Sequence, residues 1–86
     1  MTRIEERGRA RLKLRFPDCR ARFDLGSGEF FLDLCEAYEL ANVALEHWIR
    51  SDAPKSGAMI TEYREIIASL EAEAKVFATQ EPEFQR

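Results

Sequence analysis

The sequence predicts an all-α fold built on a long antiparallel helical hairpin. Two stretches carry apolar residues at steps of three and four, the spacing of a helix that presents one stripe to a partner helix. The first stripe comprises Phe31, Leu34, Tyr38, Ala41, Leu45 and Trp48. The second comprises Ile60, Tyr63, Ile67, Leu70, Ala74 and Phe77. If the second helix folds back on the first, the stripes pair in reverse order, from Phe31 with Phe77 to Trp48 with Ile60. Each alanine then lies opposite a larger aliphatic residue, as interdigitating layers favour.

The first hairpin helix is expected over about 28–51. Gly26 can close a preceding helix, Ser27 suits the N-cap, and Glu29 suits the positive end of the helix dipole. Pro54 biases the residue before it away from helical dihedrals, so the helix should end just ahead of this proline.

The second hairpin helix is expected over about 58–79. A chain of 86 residues is the size of one small domain, 1–86. Within it we expect a basic N-terminal arm over 1–25, the hairpin over 28–79, and a flexible, frayed tail over 80–86.

The N-terminal arm has two possible structures. Apolar and basic residues alternate through much of 10–25, which is typical of a β-hairpin and would make the fold α+β. However, Pro17 suits neither position of the two-residue turns that hairpins prefer, whereas it suits the first position of a helix. Two short helices, about 3–15 and 17–24, are therefore favoured, although Gly8 should weaken the first by ~1 kcal/mol relative to alanine.

The charged residues divide the chain into a basic arm and an acidic body. Residues 1–22 carry eight basic and three acidic side chains, a balance of +5, and the other 64 residues carry five and thirteen, a balance of −8. On a helix, four arginines at i,i+4 spacing form one basic stripe: Arg3, Arg7, Arg11 and Arg15. We expect the arm to dock on the acidic body of its own chain. The alternative is that its clustered basic face binds an acidic ligand, such as the phosphates of a nucleic acid.

The first hairpin helix has more apolar residues than one stripe can use. Leu32, Leu40 and Val43 lie away from the stripe that contains Tyr38 and Leu45. A helix that is apolar on two faces needs two partners. The arm could cover the second face through Leu12, Leu14, Phe16 and Phe23. A second copy of the chain could cover it instead, giving a four-helix bundle from two hairpins, and we expect both to contribute.

No catalytic, cofactor or metal site is predicted. His47 is the only histidine, and no glutamate lies three residues before it, as a carboxylate-bridged metal bundle requires. Cys19 and Cys35 belong to no CxxC or Cys/His cluster, and Cys35 is interpreted as a small buried hydrophobe. Six glutamates mostly lie outside the two stripes, where a helix carries solvated charge: Glu36, Glu39, Glu62, Glu65, Glu71 and Glu73.

Several short motifs add a resemblance. In the first long helix they are Leu34-Cys35-Glu36-x-Tyr38-Glu39-Leu40-Ala41 and Leu45-Glu46-His47-Trp48. In the second they are Glu62-Tyr63-Arg64-x-Ile66 and Leu70-Glu71-x-Glu73, and the lead-in is Phe16-Pro17-Asp18 before Gly26-Ser27-Gly28. Together they resemble a group of small bacterial helical-hairpin proteins without an assigned activity. The resemblance covers about two-thirds of the chain, and it implies an all-α fold but no site residue.

These observations predict a non-enzymatic protein-interaction or assembly module that acts through helix packing, as in a coiled coil, and forms a homodimer. The expected contact residues are Leu32, Leu40 and Val43. The alternative is a nucleic-acid-binding regulator that uses the arginine-rich arm. The N-terminus lacks the apolar core of a signal peptide, and no apolar run approaches the ~20 residues of a membrane span. A cytoplasmic location without membrane contact is therefore expected.

Overall fold

The computed structural model describes residues 3–80, which form four α-helices and one short 3-10 helix, with no strand in this range. The helices are α1 (Arg3–Arg15), α2 (Arg20–Leu25), α3 (Glu29–Arg50) and α4 (Ser56–Thr79), and the 3-10 helix is Pro17–Cys19. The all-α prediction is confirmed. The alternative of a β-hairpin over 10–25 is wrong, because those residues are helical apart from Phe16 between two helical segments.

The predicted helix ends are close to the observed ones. The expected first hairpin helix, 28–51, is α3 with one residue fewer at each end. The second begins at Ser56 rather than at about 58. The connecting loop is tighter than expected, because the Ser51 hydroxyl accepts a hydrogen bond from the Ala53 amide at 3.1 Å and the Ser56 hydroxyl donates to the Ser51 carbonyl at 3.2 Å.

The last described residue is Gln80, which follows α4 in an extended conformation. Its carbonyl accepts a hydrogen bond from the Arg22 guanidinium. The other positions of the predicted frayed tail, 81–86, lie outside the described residues, so that expectation stays a prediction.

Helix α3 is the central element, since α1 packs on one side of it and α4 on another. The core is formed by these buried residues: Leu12, Phe23, Phe31, Leu34, Cys35, Tyr38, Ala74 and Ala78. Three stacked rings connect the layers. The Phe31 ring lies 4.5 Å from that of Phe77 on α4 and 5.9 Å from that of Phe23 on α2. The predicted pairing of Phe31 with Phe77 is confirmed.

Helix α1 approaches α3 most closely at Gly8, which is buried. A Cβ added there would overlap the carbonyl oxygen of Cys35 and lie 2.6 Å from its carbonyl carbon. No glycine within residues 3–80 has a positive φ, so Gly8 is required for space and not for its dihedral freedom. Gly8 therefore lowers the intrinsic helix propensity of α1, but its lack of a side chain allows α1 to pack against α3.

Arg9 ties the end of α2 to α1. Its guanidinium donates to the carbonyls of Phe23 and Gly26, the latter at 2.8 Å. These carbonyls lie at the C-terminal end of α2, where helix carbonyls lack the regular i+4 donor; the Gly26 amide also donates to the Phe23 carbonyl at 3.3 Å. The same guanidinium lies 5.5 Å from the centre of the Phe31 ring, a cation–π distance. Arg9 therefore holds the short helix against the core.

Candidate interaction surface

Two of the three residues predicted to line a second contact are exposed on α3. Leu40 is 51% exposed and Val43 is 45% exposed, whereas Leu32 is partly buried. The stripe that packs on α4 contains Leu34 and Ala41, both of which are buried. Docking of α1 and α4 thus leaves part of the second apolar face of α3 open to solvent.

The arm covers a different side of α3 from the one expected. Leu12 and Phe23 are fully buried in the core, and Phe16 is partly buried. Leu14, which was expected to cover the second face, is 83% exposed. The reason is the close approach at Gly8, which places α1 over the side of α3 that carries Cys35.

The basic arm docks on the acidic body through ion pairs. Arg11 donates to Glu39 at 2.6 Å and lies 3.3 Å from Glu46. Arg15 lies 3.4 Å from Glu71 on α4. Burial alone lowers the pKa of Arg11, but the hydrogen bond and the charge of Glu39, together with Glu46, raise it overall.

The predicted basic surface of Arg3, Arg7, Arg11 and Arg15 is consequently not one open stripe. Arg11 and Arg15 point to carboxylates of the same chain. Arg7 is exposed, and the side chain of Arg3 lies outside the described part of the structure. Half of the stripe is thus neutralised within the molecule.

Glu39 differs from the expectation of a solvated carboxylate, since it is only 3% exposed. It lies on the side of α3 that faces α1, where the Arg11 guanidinium compensates its charge. Glu39 and Glu46 are seven residues apart and therefore lie along one side of the helix. This seven-residue spacing, together with an arginine on the basic arm, is the sequence pattern that could have predicted the grouping of Arg11 with Glu39 and Glu46.

A second polar group lies at the edge of the α3–α4 seam. The Tyr38 hydroxyl donates to the Glu71 carboxylate at 2.7 Å. Burial raises the pKa of Tyr38 well above its usual range, and the hydrogen bond and charge of Glu71 raise it further. Glu71 also carries the ion pair with Arg15, so this carboxylate joins α1, α3 and α4.

The two cysteines are free, and they differ in access. Cys35 is fully buried where α1 crosses α3, and burial raises the pKa of its thiol to about 11. Cys19 is partly exposed. The folded protein should therefore offer one reactive thiol.

A labelling experiment tests this difference. At mildly alkaline pH a thiol reagent should modify Cys19 quickly and Cys35 at least roughly tenfold more slowly, because burial limits both access and thiolate formation. The Cys19→Ser variant should retain only the slow phase. Equal rates for both thiols would contradict the burial of Cys35 under α1.

His47 and an apolar groove beside α4 are two further features of the described structure. His47 is exposed and makes an edge-on contact with the Trp48 ring at 5.1 Å. Within residues 3–80, no three His, Cys, Asp or Glu side chains are grouped to hold a metal ion. An apolar groove of about 300 Å³ lies between Phe30 and Val76, with Glu73 at its edge. None of the described helices is long and apolar enough to cross a membrane.

Comparisons with protein-family models, with curated proteins and with solved structures find no match to this chain. The resemblance to bacterial helical-hairpin proteins therefore stays a prediction. A functional conclusion has to come from the side chains described above.

Proposed function

We propose that the protein is a non-enzymatic assembly module that associates through the outward face of α3, formed by Leu32, Leu40 and Val43. The observation that carries this proposal is the exposure of Leu40 and Val43, 51% and 45%, after α1 and α4 have packed on α3. An apolar helix face without a partner in the fold is typical of an interaction surface. The two free cysteines fit a reducing compartment such as the cytoplasm.

The expected energy of this contact is modest. Full burial of a leucine or valine side chain contributes ~1.5–3 kcal/mol, so covering two half-exposed residues contributes about 1 kcal/mol each. Association itself costs several kcal/mol in lost translational and rotational freedom. The fraction of protein that associates through these residues should therefore change measurably with protein concentration.

The polar groups of the fold support a packing role over a chemical one. In the described residues, every buried side-chain nitrogen and oxygen has a hydrogen-bond partner. Glu39 is paired with Arg11, and Tyr38 is paired with Glu71. These groups hold the helices together and leave no buried polar atom directed at a ligand. The ion pairs of Arg11 and Arg15 likewise reduce the basic surface that a nucleic acid would need.

A pair of substitutions tests the proposal. Leu40→Asp places a charge at the centre of the contact and should shift the protein toward the 10.0 kDa monomer. Leu14→Asp is the matched control, because Leu14 is more exposed than Leu40 but belongs to α1, and it should not change the mass. Size-exclusion chromatography with light scattering measures both. Equal, monomeric masses for the wild type and Leu40→Asp would contradict the proposal.

A further inference from the structure

The outward side of α3 carries a row of side chains that runs through the exposed apolar face. Starting at the first residue of the helix, side chains recur at alternating steps of four and three. Positions at this spacing lie along one side of a helix, so a second helix packed along that side would meet all of them. The positions are Glu29, Asp33, Glu36, Leu40, Val43, His47 and Arg50.

The chemistry of this row changes in order along the helix. Its N-terminal third is acidic, its centre is apolar, and its C-terminal third is basic or imidazole. Asp33, His47 and Arg50 are exposed, and Glu36 is partly buried. Within residues 3–80, neither Asp33, Glu36 nor Arg50 lies within ion-pair distance of an opposite charge. The row therefore presents uncompensated charges of opposite sign at its two ends.

We propose that α3 packs antiparallel against α3 of a second copy of the chain, with the two-fold axis passing between Ala41 and Asn42. This inference rests on the proposed function, and it specifies the partner and the register. In each layer between residues 33 and 50, the residue numbers from the two copies then add up to 83. The layers, each of which occurs twice, are Asp33 with Arg50, Glu36 with His47, and Leu40 with Val43.

The charge order favours this arrangement over its alternatives. A parallel pair would place Asp33 against Asp33 and Glu36 against Glu36, and like charges in one layer destabilise a helix pair. An antiparallel pair shifted by one repeat would place Leu40 against Glu36 of the second copy. Of these arrangements, only the register described brings the apolar layers together, pairs Asp33 with Arg50 and places Glu36 beside the His47 imidazole, as a self-complementary two-fold contact requires.

The remaining helices leave room for the second copy. At 100° per residue, the row that contains Leu40 and Val43 lies roughly opposite the α4-facing residues Leu34 and Ala41. Helix α1 covers the side that carries Cys35. The overlap spans residues 33–50, about 27 Å at ~1.5 Å per residue. Because only its two central layers are apolar, the dimer should dissociate on dilution.

Charge reversal across the axis tests both the partner and the register. Asp33→Arg places an arginine opposite Arg50 of the second copy, and Arg50→Asp places an aspartate opposite Asp33. Each variant alone should therefore dimerise at least about tenfold more weakly than the wild type, whereas an equimolar mixture should regain a dimer. In the mixture, the introduced arginine faces the introduced aspartate, and the native pair forms on the other side of the axis. Sedimentation velocity measures the dimer fraction.

Two controls make the outcome specific. The double variant Asp33→Arg/Arg50→Asp should dimerise like the wild type, because the pair is reversed as a whole. Glu65→Arg, an exposed charge change on α4, should have no effect. Circular dichroism establishes that each variant is helical.

The outcomes separate the inference from the proposed function. If Leu40→Asp dissociates the protein but the charge variants dimerise normally, the antiparallel register is overturned and the proposed function is retained. If the wild type is monomeric at every concentration, a second copy is not the occupant, and the proposed function fails as well. Weak single variants with a restored mixture support the inference.

Discussion

Replacing Gly8 by alanine should lower the free energy of unfolding by about 2 kcal/mol, in the range of overpacked cores. The added methyl group would overlap the Cys35 carbonyl oxygen, which is backbone and cannot rotate away. Helix α1 would have to move from α3 and expose part of Leu12 and Cys35, both fully buried. Helix propensity alone predicts the opposite sign, a gain of ~1 kcal/mol.

Gly57→Ala is the matched control for this substitution. Gly57 also lies in a helix, α4, but a Cβ added there would meet no atom within 4 Å. This variant should be unchanged or more stable by about 0.5 kcal/mol. Urea denaturation of the two variants measures the difference. If Gly8→Ala were as stable as Gly57→Ala, the close crossing of α1 over α3 would be wrong.

The second large effect is expected for Arg11→Met. This change leaves the Glu39 carboxylate, whose side chain is 5% exposed, without its cation. Removing one partner of a fully buried ion pair costs ~3–5 kcal/mol. Because the Arg11 side chain is 32% exposed, solvent screens part of this interaction, and we expect a loss of about 2 kcal/mol.

Two further variants show whether burial of Glu39 is the cause. The double variant Arg11→Met/Glu39→Leu should recover most of the loss, since an apolar pair can replace a buried ion pair. Arg15→Met should cost less than ~1 kcal/mol, because the Arg15 side chain is 57% exposed and exposed pairs contribute little. Equal losses for Arg11→Met and Arg15→Met in urea denaturation would contradict this explanation.

The hairpin could be predicted because its determinants are local in sequence. The steps of three and four placed the apolar stripes, and the rings of Phe31 and Phe77 stack as their predicted pairing requires. Pro17 also favoured a helical arm over a β-hairpin, and this prediction is confirmed. Its effect is local, because proline fixes its own φ wherever the rest of the chain lies. Helix ends were less exact. Helix α4 starts earlier than predicted, at Ser56, whose hydroxyl donates a hydrogen bond to the Ser51 carbonyl across the loop.

The position of the arm could not be predicted in detail, because it depends on contacts between distant residues. Gly8 lies against Cys35, and Arg11 reaches both Glu39 and Glu46. Nothing local to Glu39 distinguishes it from a solvated glutamate. The charge asymmetry indicated that the arm would dock, but not which side of α3 it would cover.

The exposed apolar face of α3 could be predicted in part from the sequence. Helical spacing placed Leu32, Leu40 and Val43 away from the hairpin seam. Whether the arm would cover them depended on how α1 crosses α3, and the exposure of Leu40 and Val43 answers this. The outward row of charges on both sides of these residues follows from the same spacing.

Sedimentation equilibrium of the wild-type protein tests the central claim most directly. Over about a hundredfold range of concentration, mass action should shift a weak dimer from mostly dissociated to mostly associated. The average mass should then rise from 10.0 kDa toward twice that value. A mass that stays at 10.0 kDa throughout the range would contradict self-association through α3.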